Sequence, residues 1–88
     1  MEQHRRPVVG EPVVYVNPVR VACPALVTSV HGEKCVNVVF VSLDGDKGDS
    51  YGRQIEGSTS VVHASTQEAP GNYWRYPQEQ GKSTEVTA

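Results

Sequence analysis

No stretch of this chain carries the roughly 18 uninterrupted apolar residues of a membrane-spanning helix, so no span is expected. A basic start leading into an apolar stretch with a small-residue cleavage site is also missing, and no signal peptide is expected. Excess positive charge is absent as well: 8 Lys and Arg stand against 10 Asp and Glu, a formal net charge of -2. A generic nucleic-acid binder needs a broad positive field to displace counterions from phosphates, so nucleic acid is not an expected partner. Cysteine is scarce. Cys23 and Cys35 lie in apolar, strand-like sequence without C-x-x-C spacing or a disulfide-rich framework. Buried free thiols are expected, with a disulfide as the alternative.

Helical periodicity is lacking throughout, which leaves strands and turns. A chain of 88 residues buries too small a fraction of its surface for two cores, so one domain with tails is expected. Residues 1–10 mix charge, Pro and Gly without a pattern and read as an N-terminal arm, in which Arg5 and Arg6 are placed to touch an acidic partner. The barrel is expected over residues 11–63. From residue 64 to 88 the composition turns to Ser, Thr, Gln, Glu, Pro and Gly, a polar tail with one aromatic anchor at residues 73–77.

Within the barrel, PVVYV at residues 12–16 reads as a first strand, closed by Asn17-Pro18, a pair that favours a turn. Val21 to His31 is apolar and β-branched, but Pro24 cannot donate to a ladder and must mark an edge, a bulge or the strand's start. The strand is placed at Ala25 to His31. A turn at Gly32-Glu33 then leads into CVNVVFVSL, residues 35–43, dense in Val. In that hairpin opposed residue numbers sum to about 65, so Val30 faces Cys35 and Cys23 lies near Ser42, holding the thiols apart. Residues 44–49, DGDKGD, form a loop. A fourth strand follows at Ser50 to Glu56, then a Gly57 turn and a fifth strand at Ser60 to His63. The expected fold is all-β, a small five-stranded antiparallel SH3-like barrel with extended N- and C-terminal arms.

Side chains alternate along a strand, so Val36, Val38 and Phe40 point to one face and Val39, Val41 and Leu43 to the other. Both faces are apolar. One lines the barrel, and the second needs cover from Tyr73, Trp74 and Tyr76 folding back or from another protein.

Catalytic and cofactor chemistry finds little footing. Asp44, Asp46 and Asp49 resemble the start of a calcium loop, but the twelfth position is Ile55, where a bidentate Glu is required, and flanking helices are missing. His31 and Cys35 lie four apart, with His4 and His63 elsewhere, and no second closely spaced ligand pair completes a zinc site. There is no G-x-S-x-G elbow, no Cys and His in a recognised setting and no phosphate-binding loop, so no enzyme, cofactor or metal is expected. Tyr15, Tyr51, Tyr73, Trp74 and Tyr76, interleaved with Arg20, Arg53 and Arg75, leave open a stacking surface for bases or sugars; the alternative is that Trp74 caps an open barrel end.

The order PVVYVNP, ACPALVTSVH, CVNVVFVS and GNYWRYP resembles a group of small, mostly uncharacterised proteins of tailed phages and prophages. Those share a V-x-Y-V strand, an AAIVT-x-VH strand, a VNL-x-VF strand and a terminal GTWHWP. The likeness runs from Glu11 to Pro77 and is carried by Tyr15, Pro18, Ala25, Val27, Thr28, Val30, His31, Val36, Asn37, Phe40, Gly71, Trp74 and Pro77. Tyr76, where the group tends to have a second Trp, and the DGDKGD insertion depart from it. The resemblance implies a virion structural protein, with a capsid decoration or cement protein as the first expectation. Its partner would be a capsid or other virion protein, with homo-oligomers as a further option and the virion as its location. The partner-binding residues expected are Arg5, Arg6, Val39, Val41, Leu43, Tyr73, Trp74 and Tyr76. The competing expectation is a small phage-encoded effector that binds a host protein or a nucleotide-like ligand.

Overall fold

A computed structural model describes residues 6–66, 71–79 and 85–87, and no helix occurs among them. Eight strands form in chain order: β1 Pro12–Val16, β2 Val21–Gly32, β3 Cys35–Val41, β4 Gly48–Asp49, β5 Gly52–Arg53, β6 Ile55–Val62, β7 Tyr73–Arg75 and β8 Val86–Thr87. Five of them make a curled antiparallel sheet in the order β6-β3-β2-β1-β7, with β8 parallel on β2 and a separate β4-β5 hairpin. A four-strand meander whose fifth strand returns to the first is the strand order of an SH3-like barrel. The outermost strands meet at one parallel bridge, His63 to Trp74, where Ala64 N donates to Trp74 O at 2.9 Å. The barrel is therefore partly open.

The β1–β2 turn is built by Asn17, whose Oδ1 accepts from Val19 N at 3.0 Å and Val21 N at 2.9 Å. β2 begins at Val21, four residues earlier than expected, and runs straight through Pro24. Alternation of hydrogen bonds explains how. Val27 N donates to Glu11 O and Asn17 N to Val21 O, so odd-numbered β2 residues bond towards β1 and even-numbered ones towards β3. Pro24 therefore sits in a full ladder with β1, opposite Val14, while its missing N–H ends the β3 ladder at Ala25–Phe40. The edge that β3 leaves at Val21–Ala22 is taken by β8.

The β2–β3 register sums to 65 from Ala25–Phe40 to Val27–Val38, as expected, and then shifts at two irregularities near the turn. Val30 consequently faces Val36, not Cys35, and the turn residues are Glu33 and Lys34. Both cysteines are free thiols, Cys23 buried as expected and Cys35, beside the turn, only half-buried. β3 stops at Val41 instead of Leu43: Ser42 keeps its place on the core face and its bond to Gln54 O, but its Oγ accepts from Asp44 N and opens the turn that follows. The break in alternation turns Leu43 inward, where it packs against the core; it does not share the outer face with Val39 and Val41.

A larger correction concerns Gly57, which is no turn. β6 is one strand through that residue, opposite Val39, and carries a bulge at Thr59-Ser60. Ser60 adopts a φ of 54°, and its N–H is satisfied by Asn37 Oδ1 at 2.9 Å. The expected fourth and fifth strands are thus β5 and the single strand β6, while β4 falls at the end of the stretch expected as the DGDKGD loop. The fifth barrel strand is β7, from the aromatic segment read as a tail anchor.

The core follows from this register. Val13 and Tyr15 of β1, Cys23, Ala25 and Val27 of β2, Val36 and Val38 of β3, Val61, Trp74 and Tyr76 are buried together. Tyr15 stacks on Phe40 at 4.6 Å, and Trp74 meets Tyr76 edge-on at 5.0 Å. Trp74 Nε1 donates to Lys34 O at 3.3 Å, so the largest side chain closes the barrel end by the β2–β3 turn.

Candidate interaction surface

Because β1, β2, β3 and β6 are in register, their outward side chains form rows. Pro12, Leu26, Val39 and Gly57 stand opposite one another in one row; Val14 faces Pro24 and Val41 faces Ile55 in the next. Leu26, Val41 and Ile55 remain 47%, 49% and 62% exposed, an unusual outlay of apolar area for a chain this small. Between them lies a shallow groove bordered by Pro12, Pro24, Leu26, Val39, Val41 and Ile55. A second groove shares Pro12 and Pro24 and runs over Val14 and Ala22 to Arg75 and Pro77. The surface is apolar and open, and the backbone beneath it is paired within the sheet, which ends at β6.

The outer side of β1 and β7 is different. Val16 and Tyr73 are opposite each other and fully buried. The Tyr73 hydroxyl donates to the Glu85 carboxylate, which also accepts from Arg75 Nη2 at 2.9 Å and Arg75 Nε at 3.2 Å. Arg75 and Glu85 side chains are only 14% and 8% exposed. Burial, then the hydrogen bond to Glu85 and its negative charge, push the Tyr73 phenol up to about 12.

The sequence-derived partner residues thus fall into separate places. Val39 and Val41 are on the open outer face; Trp74 and Tyr76 lie inside the barrel; Tyr73 is under Glu85; Leu43 packs on the core; Arg6 is exposed on the chain before β1. Arg5 lies outside the described residues, as does His4. Tyr73, Trp74 and Tyr76 do not fold over Val39 and Val41, because β7 pairs with β1 at the far edge of the sheet. Sequence reasoning missed Pro12, Pro24, Leu26 and Ile55. The signal for Pro12, Pro24 and Leu26 was the alternation in PVVYV and PALVT, which becomes a surface, with Ile55 added from β6, only once the register is known.

The titratable clusters are tied into the fold by their hydrogen bonds. His63 is buried, with Ser65 Oγ 2.9 Å from Nδ1 and Glu79 Oε1 2.9 Å from Nε2. This order of groups is that of an acyl-transfer relay, yet Ser65 N also donates to Nδ1 and Tyr76 N to Glu79 Oε1, and neither groove borders Ser65. The cluster ties the end of β6 to the segment after β7. Asp44 and Asp49 use their carboxylates to accept from Asp46 N and Tyr51 N within their own turns. His31 is bonded to Asn37, and among the described residues no three potential ligands gather for a metal. Of the candidate stacking residues Tyr51 alone is fully exposed, at the tip of the β4-β5 hairpin, while Tyr15, Tyr73, Trp74 and Tyr76 are buried. No known protein family, curated protein or solved structure matches the chain.

Proposed function

We propose that this protein acts by binding, as a virion structural protein of a tailed bacteriophage, and that it decorates and braces the capsid exterior through the outer face of β2, β3 and β6. The observation that carries the reading is the exposed patch of Leu26, Val41 and Ile55 around Val39, spread over two neighbouring cross-strand rows and backed by the buried core. An open, apolar sheet face suits another protein's surface, whereas small ligands are held in enclosed pockets with convergent polar groups, which the groove between Leu26 and Ile55 lacks. The capsid is named as the occupant on the resemblance of PVVYVNP, ACPALVTSVH, CVNVVFVS and GNYWRYP to small phage proteins. The ligand-stacking alternative is weaker on this reading, since of its aromatic set Tyr15, Tyr73, Trp74 and Tyr76 are buried and Tyr51 alone is open to solvent.

Attachment to purified particles tests this. Leu26→Asp and Val41→Asp should each weaken co-sedimentation with capsids by about tenfold or more, the loss of a central apolar contact, while the barrel keeps its β signature. Undiminished attachment by both variants, or absence of the protein from purified virions, would overturn the proposal.

A further inference from the structure

β6 ends the strand order, and among the described residues its one bridge towards β7 lies beyond its own end, at His63 and Trp74. Ser42 N donates to Gln54 O, and the register then runs without a break from Val41 with Ile55 to Val38 with Ser58. Residues 54, 56 and 58 therefore turn their backbone groups towards β3, while Ile55 and Gly57 each aim an N–H and a C=O away from the sheet. Protein edges are commonly blunted by proline, lysine or a bulge. The bulge at residues 59–60 blunts the far half of β6, but residues 55–57 carry no proline or lysine, and Ile55 and Gly57 are both exposed.

Gly57 is a second, independent observation. It stands within the strand opposite Val39, and its φ is not positive. A Cβ added there would lie 3.5 Å from Val38 O and 3.9 Å from Val39 Cγ1, both ordinary contacts. Nothing within the chain demands a glycine at this position, although glycine weakens a strand. What it leaves is a step in the outer face beside Ile55, at a kind of position where a second backbone commonly approaches. A large side chain placed across from an edge glycine fills such a step.

We propose that residues 55–57 form a strand-addition site for an extended segment of another protein. The added strand pairs with Ile55 and Gly57, sets a bulky apolar side chain across from Gly57, and continues the apolar face of Leu26, Val41 and Ile55. This rests on the outer face being a docking surface, as proposed above, and not on the capsid being its occupant. A second copy of this chain fits less well. Two β6 strands paired with Ile55 across from Gly57 set Glu56 directly against Glu56, and like charges so placed repel. Lys47, 3.0 Å from Glu56 but half-exposed, offsets this only in part.

The full-length protein is titrated with a synthetic peptide of alternating Thr and Val carrying one central Trp. Saturable shifts of the Ile55 and Gly57 amide resonances are expected, and none with the same peptide N-methylated at every residue, which has no backbone donors. No shifts with the parent peptide, or equal shifts with the methylated one, overturn strand addition. Gly57→Val should fold, because the space is open and valine suits a strand, and should weaken the parent peptide about tenfold, the worth of one apolar side-chain contact. Undiminished binding to that variant would place the peptide elsewhere. A protein that alone runs at twice its 9.6 kDa mass, and loses this with Gly57→Val, would make a second copy the occupant and refute the assignment to another protein. Capsid attachment is measured separately: peptide binding by a chain that ignores capsids keeps the edge site and removes the capsid reading, and the converse result does the reverse.

Discussion

The two outer faces of this barrel are made from the same kind of strand and end up in opposite states. Over β1 and β7, Val16 and Tyr73 are sealed, and the polar atoms above them are matched: phenol to carboxylate, guanidinium to carboxylate. Over β2, β3 and β6, Leu26, Val41 and Ile55 stay open to solvent. The contrast shows that burial here is decided by whether another segment lies over the face, as Glu85 does over Tyr73 and Arg75, and not by how apolar the strand is. β7 is short and mixed in character, yet it is covered; β3, the most Val-rich segment, keeps half its outer side exposed.

The contrast can be broken or sharpened by substitution. Tyr73→Ala on the sealed face should cost about 3–5 kcal/mol, the usual penalty for emptying a buried aromatic site. Denaturant unfolding reads this directly, and a loss under about 1 kcal/mol would mean that the sealed face contributes little packing. The second effect depends on pH. The Tyr73 phenol is raised from 10.0 to about 12. The folded state therefore favours the neutral form, and its contribution is whole below the unfolded value and fades as pH rises through the folded one. Thermal stability should hold up to about pH 10 and fall towards 12, and Tyr73→Phe should flatten that decline. A decline of equal slope in Tyr73→Phe would assign it to other groups. Smallest of all, Leu26→Ser and Ile55→Ser on the open face should change stability by no more than about 0.5 kcal/mol. A loss above about 1.5 kcal/mol would show that these side chains support the barrel instead of facing a partner.

Strands whose pattern is local were legible in the sequence. PVVYV gave β1 to the residue, and the Val-rich run gave β3 except for its last two positions, where Ser42 opens a turn. Misreadings came from residues whose meaning depends on a neighbour. Pro24 breaks one ladder and not the other, so β2 was read as starting late. Gly57 looks like a turn residue, yet it lies within β6 opposite Val39. β7 has only Tyr73, Trp74 and Arg75, flanked by turn-forming residues, and its pairing with β1 joins segments nearly sixty positions apart. No local period reports such a contact. The interaction surface shared that limit: Val39 and Val41 were visible as the second face of one strand, but Leu26 and Ile55 join them only through cross-strand register.

Position 24 sets a boundary whose consequence reaches the end of the chain. Because an imide nitrogen has no hydrogen to give, one side of β2 is divided into a stretch reserved for its hairpin partner and a stretch left vacant for a later arrival. Growth of the hairpin and seating of the last residues compete for the same few backbone atoms, and a single ring decides the contest in favour of both.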